Sequence, residues 1–226
     1  MDLSSIDAII FDNDGVLVDS ETIHLAVELE LLAEMGLSYD HAAYLQRFVG
    51  LSNADYRAEL NRDHQAAFGT PFPEDFGARL YQKVWPRIET ELQPIPGVAT
   101  LVSRFGGSVA VASSAPMERL RRKLELTGLQ HLFAPHIYSA DHVENGKPAP
   151  DLFLHTASQL NIAPDRCMVI EDSVNGVRAG RAARMLTVGF TGGGHVDRSH
   201  ARRLEAAGAH IVVNTHDALL AYLAKD

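Results

Sequence analysis

The stretch AIIFDNDGVLVDS, residues 8–20, decides the fold of this chain. Its apolar residues run without a polar break and end at Asp12 and Asp14, which are followed by Gly15. Such a short unbroken run is typical of a strand buried on both faces of a parallel sheet, where reactive groups lie at the carboxyl ends of strands. Gly15 permits a sharp turn there. A solvated turn or a calcium loop also contains D-x-D, but its aspartates lie among polar residues, so this stretch favours a functional site.

Further short apolar runs alternate with helix-like segments along the rest of the chain. The runs are 109–112, 167–170, 186–190 and 211–213, and the helical segments include 117–126, 151–160 and 174–183. Each run is too short for a helix, and alternating strands and helices form a parallel sheet with right-handed crossovers. We therefore predict an α/β fold with a doubly wound, Rossmann-like parallel sheet.

Residues 18–94 interrupt this alternation. Apolar residues recur there at helical spacing, as at Ile23, Val27 and Leu31, and glycines and prolines punctuate the segment. We predict three or four helices that form an inserted, all-helical cap domain, and a core domain made of residues 1–17 and 95–226.

Composition limits the functional classes. The 226 residues, 46% of them apolar, suffice for one domain with an insert. The net charge of −9 makes nucleic acid and anionic membranes unfavourable partners. We find no signal peptide and no run long enough to span a membrane, so we expect a cytoplasmic protein. We also expect a monomer, although no residue pattern indicates the oligomeric state. Cys167 is the single cysteine, which excludes an internal disulfide and is typical of a small buried residue.

Polar residues stand at three more places where a strand ends or a turn is stiffened. Ser113 can donate to a phosphate oxygen or, with Ser114, cap the next helix. Lys147 lies between a glycine turn and two prolines, which favours a fixed ammonium over a solvated surface lysine. Glu171 and Asp172 are adjacent carboxylates that need a cation or a lysine nearby, although Asp172 or Ser173 can also cap the helical segment 174–183.

Together these positions supply carboxylates, one hydroxyl and one ammonium. Oxygen ligands without a Cys or His partner suit Mg²⁺. One task fits all of them, namely to position and neutralise a transferring phosphoryl group. We therefore expect Mg²⁺ as the cofactor and a small phosphorylated metabolite as the substrate.

The motifs FDNDGVLVDS, VAVAS, GKPAPD and VIEDSVNGVRAG, in this order, resemble the four motifs of the haloacid dehalogenase superfamily. The resemblance extends over residues 6–194. It is strongest to the branch with a helical cap after the first motif, which contains sugar-phosphate phosphatases and β-phosphoglucomutases, and 6-phosphogluconate phosphatase-like members are a near relation.

The resemblance implies a role for each motif residue. Asp12 would be the nucleophile, forming an aspartyl-phosphate, and also a magnesium ligand. Asp14 would protonate the leaving oxygen and then activate water, while its backbone carbonyl binds the metal. Ser113 and Lys147 would bind the phosphoryl oxygens, and Asp172 would be a metal ligand. Glu171 would either bind the metal directly or contact one of its ligands.

The choice between phosphatase and mutase depends on the cap. β-Phosphoglucomutases have an Arg in a G-[VL]-S-R loop, and this chain has Asn53 at that position. The missing Arg removes a bidentate grip on the second phosphate of a bisphosphate intermediate, so we predict hydrolysis, with a phosphosugar mutase as the alternative. His24, Ser114 and Asn53 are candidate substrate contacts, although a structural role explains His24 equally well.

Other readings of the same residues fit less well. Dehalogenases proper lack the carboxylate at Asp14, and a phospho-accepting receiver domain has roughly half this length and no cap. The eleven histidines raise the question of zinc, but the sequence has no HExxH pair. His195 and His200 read as loop residues.

Overall fold

The chain is described here by a computed structural model, which covers residues 5–48, 51–194 and 199–224. Within these residues one sheet contains β1 (Ala8–Phe11), β2 (Ser108–Ser113), β3 (Ile137–Ser139), β4 (Cys167–Glu171), β5 (Leu186–Phe190) and β6 (Ile211–Val213). All neighbouring strands are parallel, and their order is β3-β2-β1-β4-β5-β6. This is the strand order of a doubly wound Rossmann-type sheet, so the predicted fold class is confirmed.

The segment after β1 is helical. It forms α1 (Ser20–Glu34), α2 (His41–Phe48), α3 (Asn53–Phe68) and α4 (Phe76–Glu91). The chain divides into two compact units, one of Met1–Glu21 with Leu92–Asp226 and one of Thr22–Glu91. The described part of the second unit has no strand, as predicted for an all-helical insert. The domain boundaries at residues 18 and 94 stay predictions.

The other unit continues with helices on both faces of the sheet. They are α5 (Val98–Phe105), α6 (Met117–Leu126), α7 (Gln130–Phe133), α8 (Asp151–Leu160), α9 (Val174–Ala182), α10 (His200–Ala206) and α11 (His216–Leu223). On one face Ala8 and Ile10 of β1 belong to a core cluster with residues of α8 and α9. On the other face the Phe11 ring lies 5.5 Å from the ring of Phe133, in α7. No helix in the described ranges combines the length and the apolar character needed to cross a membrane.

Burial on both faces of the sheet explains why strand β1 could be predicted from the sequence. Every residue of β1 has 0% exposure, and the strand pairs with β2 on one side and β4 on the other. Cys167, at the start of β4, is equally buried, as predicted. Strand β3 was not predicted because Ile137-Tyr138-Ser139 is short and offers too little apolar sequence.

The strand order reverses between β1 and β4. Connections from β1 and from β4 lead to opposite sides of the sheet, so a crevice opens beyond the carboxyl ends of these two strands. Asp12 follows β1, and Glu171 with Asp172 closes β4. The topology therefore brings distant carboxylates to one place.

Candidate active site

Asp12 is fixed at the edge of the sheet. Its backbone N–H donates to the Ile170 carbonyl at 2.9 Å, which ties the end of β1 to the end of β4. The carboxylate oxygens of Asp12, Glu171 and Asp172 offer one ligand atom each, all within 4.8 Å of one another. Exposure is only 7% for Asp12, 1% for Glu171 and 7% for Asp172. The predicted convergence of these three residues is present.

Lys147 lies at the centre of this group. Its Nζ donates to Asp12 Oδ1 at 2.6 Å, to Glu171 Oε1 at 2.6 Å and to the Ala112 carbonyl at 2.9 Å. An ammonium has three N–H donors, so all of them have an acceptor. The contact with Ala112 also brings Lys147 to the end of β2, beside Ser113. The expected lysine is thus a buried, fully bonded cation.

Burial and neighbouring charges have opposite effects on the pKa values of Lys147 and Asp12. Burial alone would lower the pKa of Lys147, but the negative charges of Asp12 and Glu171 outweigh it, and the pKa rises. Burial raises the pKa of Asp12 well above its ordinary value, and the charges of Glu171 and Asp172 add to this, against the opposing effect of Lys147. Three carboxylates around one ammonium leave an excess of negative charge, which a divalent cation would neutralise.

Glu171 is held from the opposite side by Ser173. The backbone N–H and the hydroxyl of Ser173 both donate to Glu171 Oε2 at 2.9 Å. Ser173 also caps α9, because its hydroxyl oxygen accepts from the Gly176 N–H at 2.9 Å. A Cβ on Gly176 would lie 1.8 Å from Glu171 Cδ, so only glycine leaves room for the carboxylate.

Asp14 lies on the turn that follows Asp12. Gly15, with φ of 76°, allows the chain to reverse, and its N–H donates to the Val18 carbonyl at 2.9 Å. The Oδ1 atom of Asp14 accepts hydrogen bonds from Lys123 Nζ and from Ser20 Oγ. Burial would raise the pKa of Asp14, but the Lys123 charge and these two hydrogen bonds lower it below its ordinary value.

Ser113 ends β2 and is buried at 1% exposure. Its hydroxyl oxygen accepts from the Ala115 N–H at 3.1 Å. The interpretation of Ser114 as the cap of the next helix is wrong: α6 has no cap from its neighbouring side chains, and the N–H of Met117 donates to Asp141 Oδ2 at 2.7 Å. Asp141 follows β3, so the sequence around Ser114 carried no sign of it.

The described structure does not test the predicted substrate contacts. His24 is exposed on α1 in the helical unit, and Ser114 is exposed after β2. Asn53 is the first residue of α3, and its side chain lies outside the described part of the chain, as does all of His195. The roles assigned to His24, Ser114 and Asn53 stay predictions.

Three functional candidates were missed from the sequence. Lys123, 8% exposed, reaches Asp14 from α6. His200 is the first residue of α10, not a loop residue, and its Nε2 lies 2.6 Å from the carbonyl oxygen of Asp172. His216 Nε2 lies 2.8 Å from the Val16 carbonyl oxygen. The two histidines contact backbone carbonyls, which carry no sequence signature. Lys123 did offer a signal, because it is a charge on the apolar stripe of α6.

Comparison with known proteins identifies the family. Residues 6–184 match the haloacid dehalogenase-like hydrolases, and the chain belongs to this family. The predicted superfamily is therefore confirmed, and with it the expectation of a hydrolase.

Relatives and solved structures agree. The chain is 32% identical over 184 residues to hexitol phosphatase B of Escherichia coli (strain K12), covering 80% of this chain and 82% of that protein. It is 27% identical over 184 residues to 6-phosphogluconate phosphatase of the same organism, covering 81% of each. A HAD family hydrolase from Deinococcus radiodurans R1, solved with bound phosphate and sodium, matches with a TM-score of 0.84 and 36% identity, covering 98% of this chain and 96% of that one.

Proposed function

We propose that this chain is a Mg²⁺-dependent phosphatase that hydrolyses a small sugar phosphate or sugar-acid phosphate through an aspartyl-phosphate on Asp12. The observation that carries the proposal is the meeting of Asp12, Lys147, Glu171 and Asp172 at the carboxyl ends of β1 and β4. The family of the chain supports hydrolysis as the reaction class, because its members are haloacid dehalogenase-like hydrolases.

The reaction divides into two displacements at phosphorus. In the first, an Asp12 oxygen attacks phosphorus, the bond to the leaving oxygen breaks, and Asp14 supplies the proton that this oxygen takes up. In the second, Asp14 takes a proton from water, the water oxygen bonds to phosphorus, and the Asp12 oxygen departs as a carboxylate. Lys147 neutralises the phosphoryl oxygens with a charge that is already fixed and desolvated, and Ser113 donates to one of them.

The donor set fits a hard divalent cation. Asp12, Asp172 and the Asp14 carbonyl are the proposed ligands, with Glu171 binding directly or through a neighbour, and all donor atoms are oxygens. Bound there, Mg²⁺ would neutralise the phosphate and orient it toward Asp12. Ser173 and Lys147 keep the Glu171 carboxylate ordered beside this position.

The substrate class rests on the relatives. Hexitol phosphatase B and 6-phosphogluconate phosphatase are named for phosphorylated polyols and sugar acids, which supports the same class here. We propose that the helical unit serves as a cap that selects the substrate, with His24, Ser114 and Asn53 as candidate contacts. The mutase alternative is weaker because Asn53 stands where those mutases have an Arg.

The test is a phosphate-release screen across sugar, polyol and sugar-acid phosphates, run with MgCl₂ and with EDTA. We expect release with Mg²⁺, none with EDTA, and none from the Asp12→Asn variant while its circular dichroism spectrum is retained. Chromatography of the same reactions separates the alternative, since a mutase yields an isomeric sugar phosphate rather than inorganic phosphate. Undiminished hydrolysis by Asp12→Asn would overturn the assignment.

A further inference from the structure

Lys123 is an unusual residue for its place in the fold. It lies on α6 between Leu120 and Leu124, both at 0% exposure, and is itself only 8% exposed. Ordinary helix patterning puts a lysine on the solvent side. A buried ammonium needs a partner that compensates its lost hydration, and here that partner is the carboxylate of Asp14.

The doubly wound topology explains how Lys123 reaches the site. Helix α6 starts at the carboxyl edge of the sheet, directly after β2, and runs away from that edge. Helical side chains tilt toward the N-terminus of their own helix, so a long side chain in the second turn extends back toward the edge. Lys123 thereby contacts Asp14, which is 109 positions away in the sequence.

The contact fixes one oxygen of Asp14 and leaves the other for chemistry. Lys123 Nζ and Ser20 Oγ approach Asp14 from different elements, and both donate to Oδ1. Two donors on one oxygen restrict rotation of the carboxylate about its last bond. The Oδ2 atom is then the oxygen that can accept a proton from water.

We propose that Lys123 is a positioning residue that holds Asp14 in place to activate water in the second half-reaction, which makes this chain a phosphatase rather than a carrier of a long-lived phosphoenzyme. The proposal rests on the proposed function. In that step Asp14 Oδ2 takes one proton from water, the water oxygen forms a bond to phosphorus, and the bond between phosphorus and the Asp12 oxygen breaks with its electron pair returning to Asp12. Inorganic phosphate leaves, and Asp14 is protonated again and can supply the next leaving oxygen. When the leaving group needs no proton, Asp14 passes this proton to solvent.

The test isolates the second step with 4-nitrophenyl phosphate. Its nitrophenolate leaves without needing a proton, so transfer to Asp12 does not depend on Asp14, whereas hydrolysis of the phosphoenzyme does. General base catalysis contributes about 10²- to 10⁴-fold, so losing the alignment in Lys123→Met should lower kcat about 10- to 100-fold. KM should fall in parallel and leave kcat/KM nearly unchanged, and rapid mixing should show a burst of nitrophenolate close to the enzyme concentration.

Two further variants guard against a purely structural effect. Lys123→Arg keeps a cation that can pair with Asp14 and should recover most of kcat and abolish the burst. Lys83→Met is the matched control, because Lys83 pairs with Glu34 on the exposed surface of the helical unit and should leave both kinetic constants unchanged.

The outcomes separate the two proposals. A wild-type protein that releases neither nitrophenolate from 4-nitrophenyl phosphate nor inorganic phosphate from the screened sugar phosphates in Mg²⁺ would overturn the proposed function and the role of Lys123 with it. If the wild type hydrolyses 4-nitrophenyl phosphate and Asp12→Asn does not, the proposed function stands. The kinetics of Lys123→Met then decide whether Lys123 positions Asp14. Equal losses of kcat and kcat/KM without a burst, or no loss at all, would overturn the role of Lys123.

Discussion

Replacing Gly176 by Ala tests whether Glu171 is as tightly held as the geometry indicates. Alanine is favoured over glycine inside a helix by about 0.5–1 kcal/mol. The added Cβ, however, would lie 1.8 Å from Glu171 Cδ, so the carboxylate must leave its place. It would lose its ion pair with Lys147 and two hydrogen bonds from Ser173.

The two effects are unequal. Breaking a buried ion pair costs about 3–5 kcal/mol, so the net change should be a loss of about 2–4 kcal/mol in the free energy of unfolding. A domain of this size has about 5–15 kcal/mol in total, so Gly176→Ala should still fold. Urea denaturation followed by circular dichroism measures the difference from the shift in midpoint at constant slope.

Two controls make the result specific. Gly77 lies in α4 with no atom within 4 Å of an added Cβ, so Gly77→Ala should be neutral or stabilise by up to about 1 kcal/mol. In a Glu171→Ala background the clash is gone, and Gly176→Ala should no longer destabilise. A loss of the same size in both backgrounds would refute the reasoning.

Other perturbations have equally definite outcomes. Lys147→Met removes the ammonium from between buried carboxylates and should lower the free energy of unfolding in EDTA by about 3–5 kcal/mol. MgCl₂ should restore part of this stability if the metal occupies the site, which urea titrations with and without Mg²⁺ measure. No recovery would contradict the ligand assignment. Burial lowers the pKa of His216, so the unfolded chain binds a proton more readily than the folded one, and stability should fall as the pH drops below about 6.5. His216→Gln should flatten that fall between pH 7 and pH 5, by at most about 1.4 kcal/mol per pH unit, and an unchanged slope in denaturation at each pH would exclude this role. His200→Leu should weaken Mg²⁺ binding in calorimetry about 10- to 100-fold because His200 holds the Asp172 carbonyl, whereas His200→Gln, which keeps an N–H donor, should bind nearly as the wild type does.

Sequence reasoning reached the fold and the centre of the site for one physical reason. Parallel strands carry their carboxyl ends to the same edge, so residues that end apolar runs, such as Asp12 and Glu171, must lie near one another once the sheet is doubly wound. Lys147 could be predicted because its turn is stiffened by neighbours in the sequence. The run of strands was readable because burial on both faces leaves an unbroken apolar pattern.

The same reasoning could not reach contacts made across the fold by helices. Lys123 contacts Asp14 through the tilt of a side chain on α6, and Asp141 caps that helix from the short 3-10 helix Ala140–His142 after β3. His200 contacts a backbone carbonyl that every residue possesses. Such contacts depend on how helices pack on the sheet, which local pattern does not determine. The only sequence signal for Lys123 was that a charged residue interrupts the apolar face of α6.

The most direct test of the account is to locate the phosphoryl group during turnover. Lys123→Met should be mixed with 4-nitrophenyl phosphate and Mg²⁺, quenched in acid during the burst, digested, and analysed by mass spectrometry. The account predicts one phosphoryl group on the peptide that contains Asp12, and none in Asp12→Asn treated in the same way. Turnover that leaves this peptide unmodified, or a phosphoryl group on another residue, would contradict it.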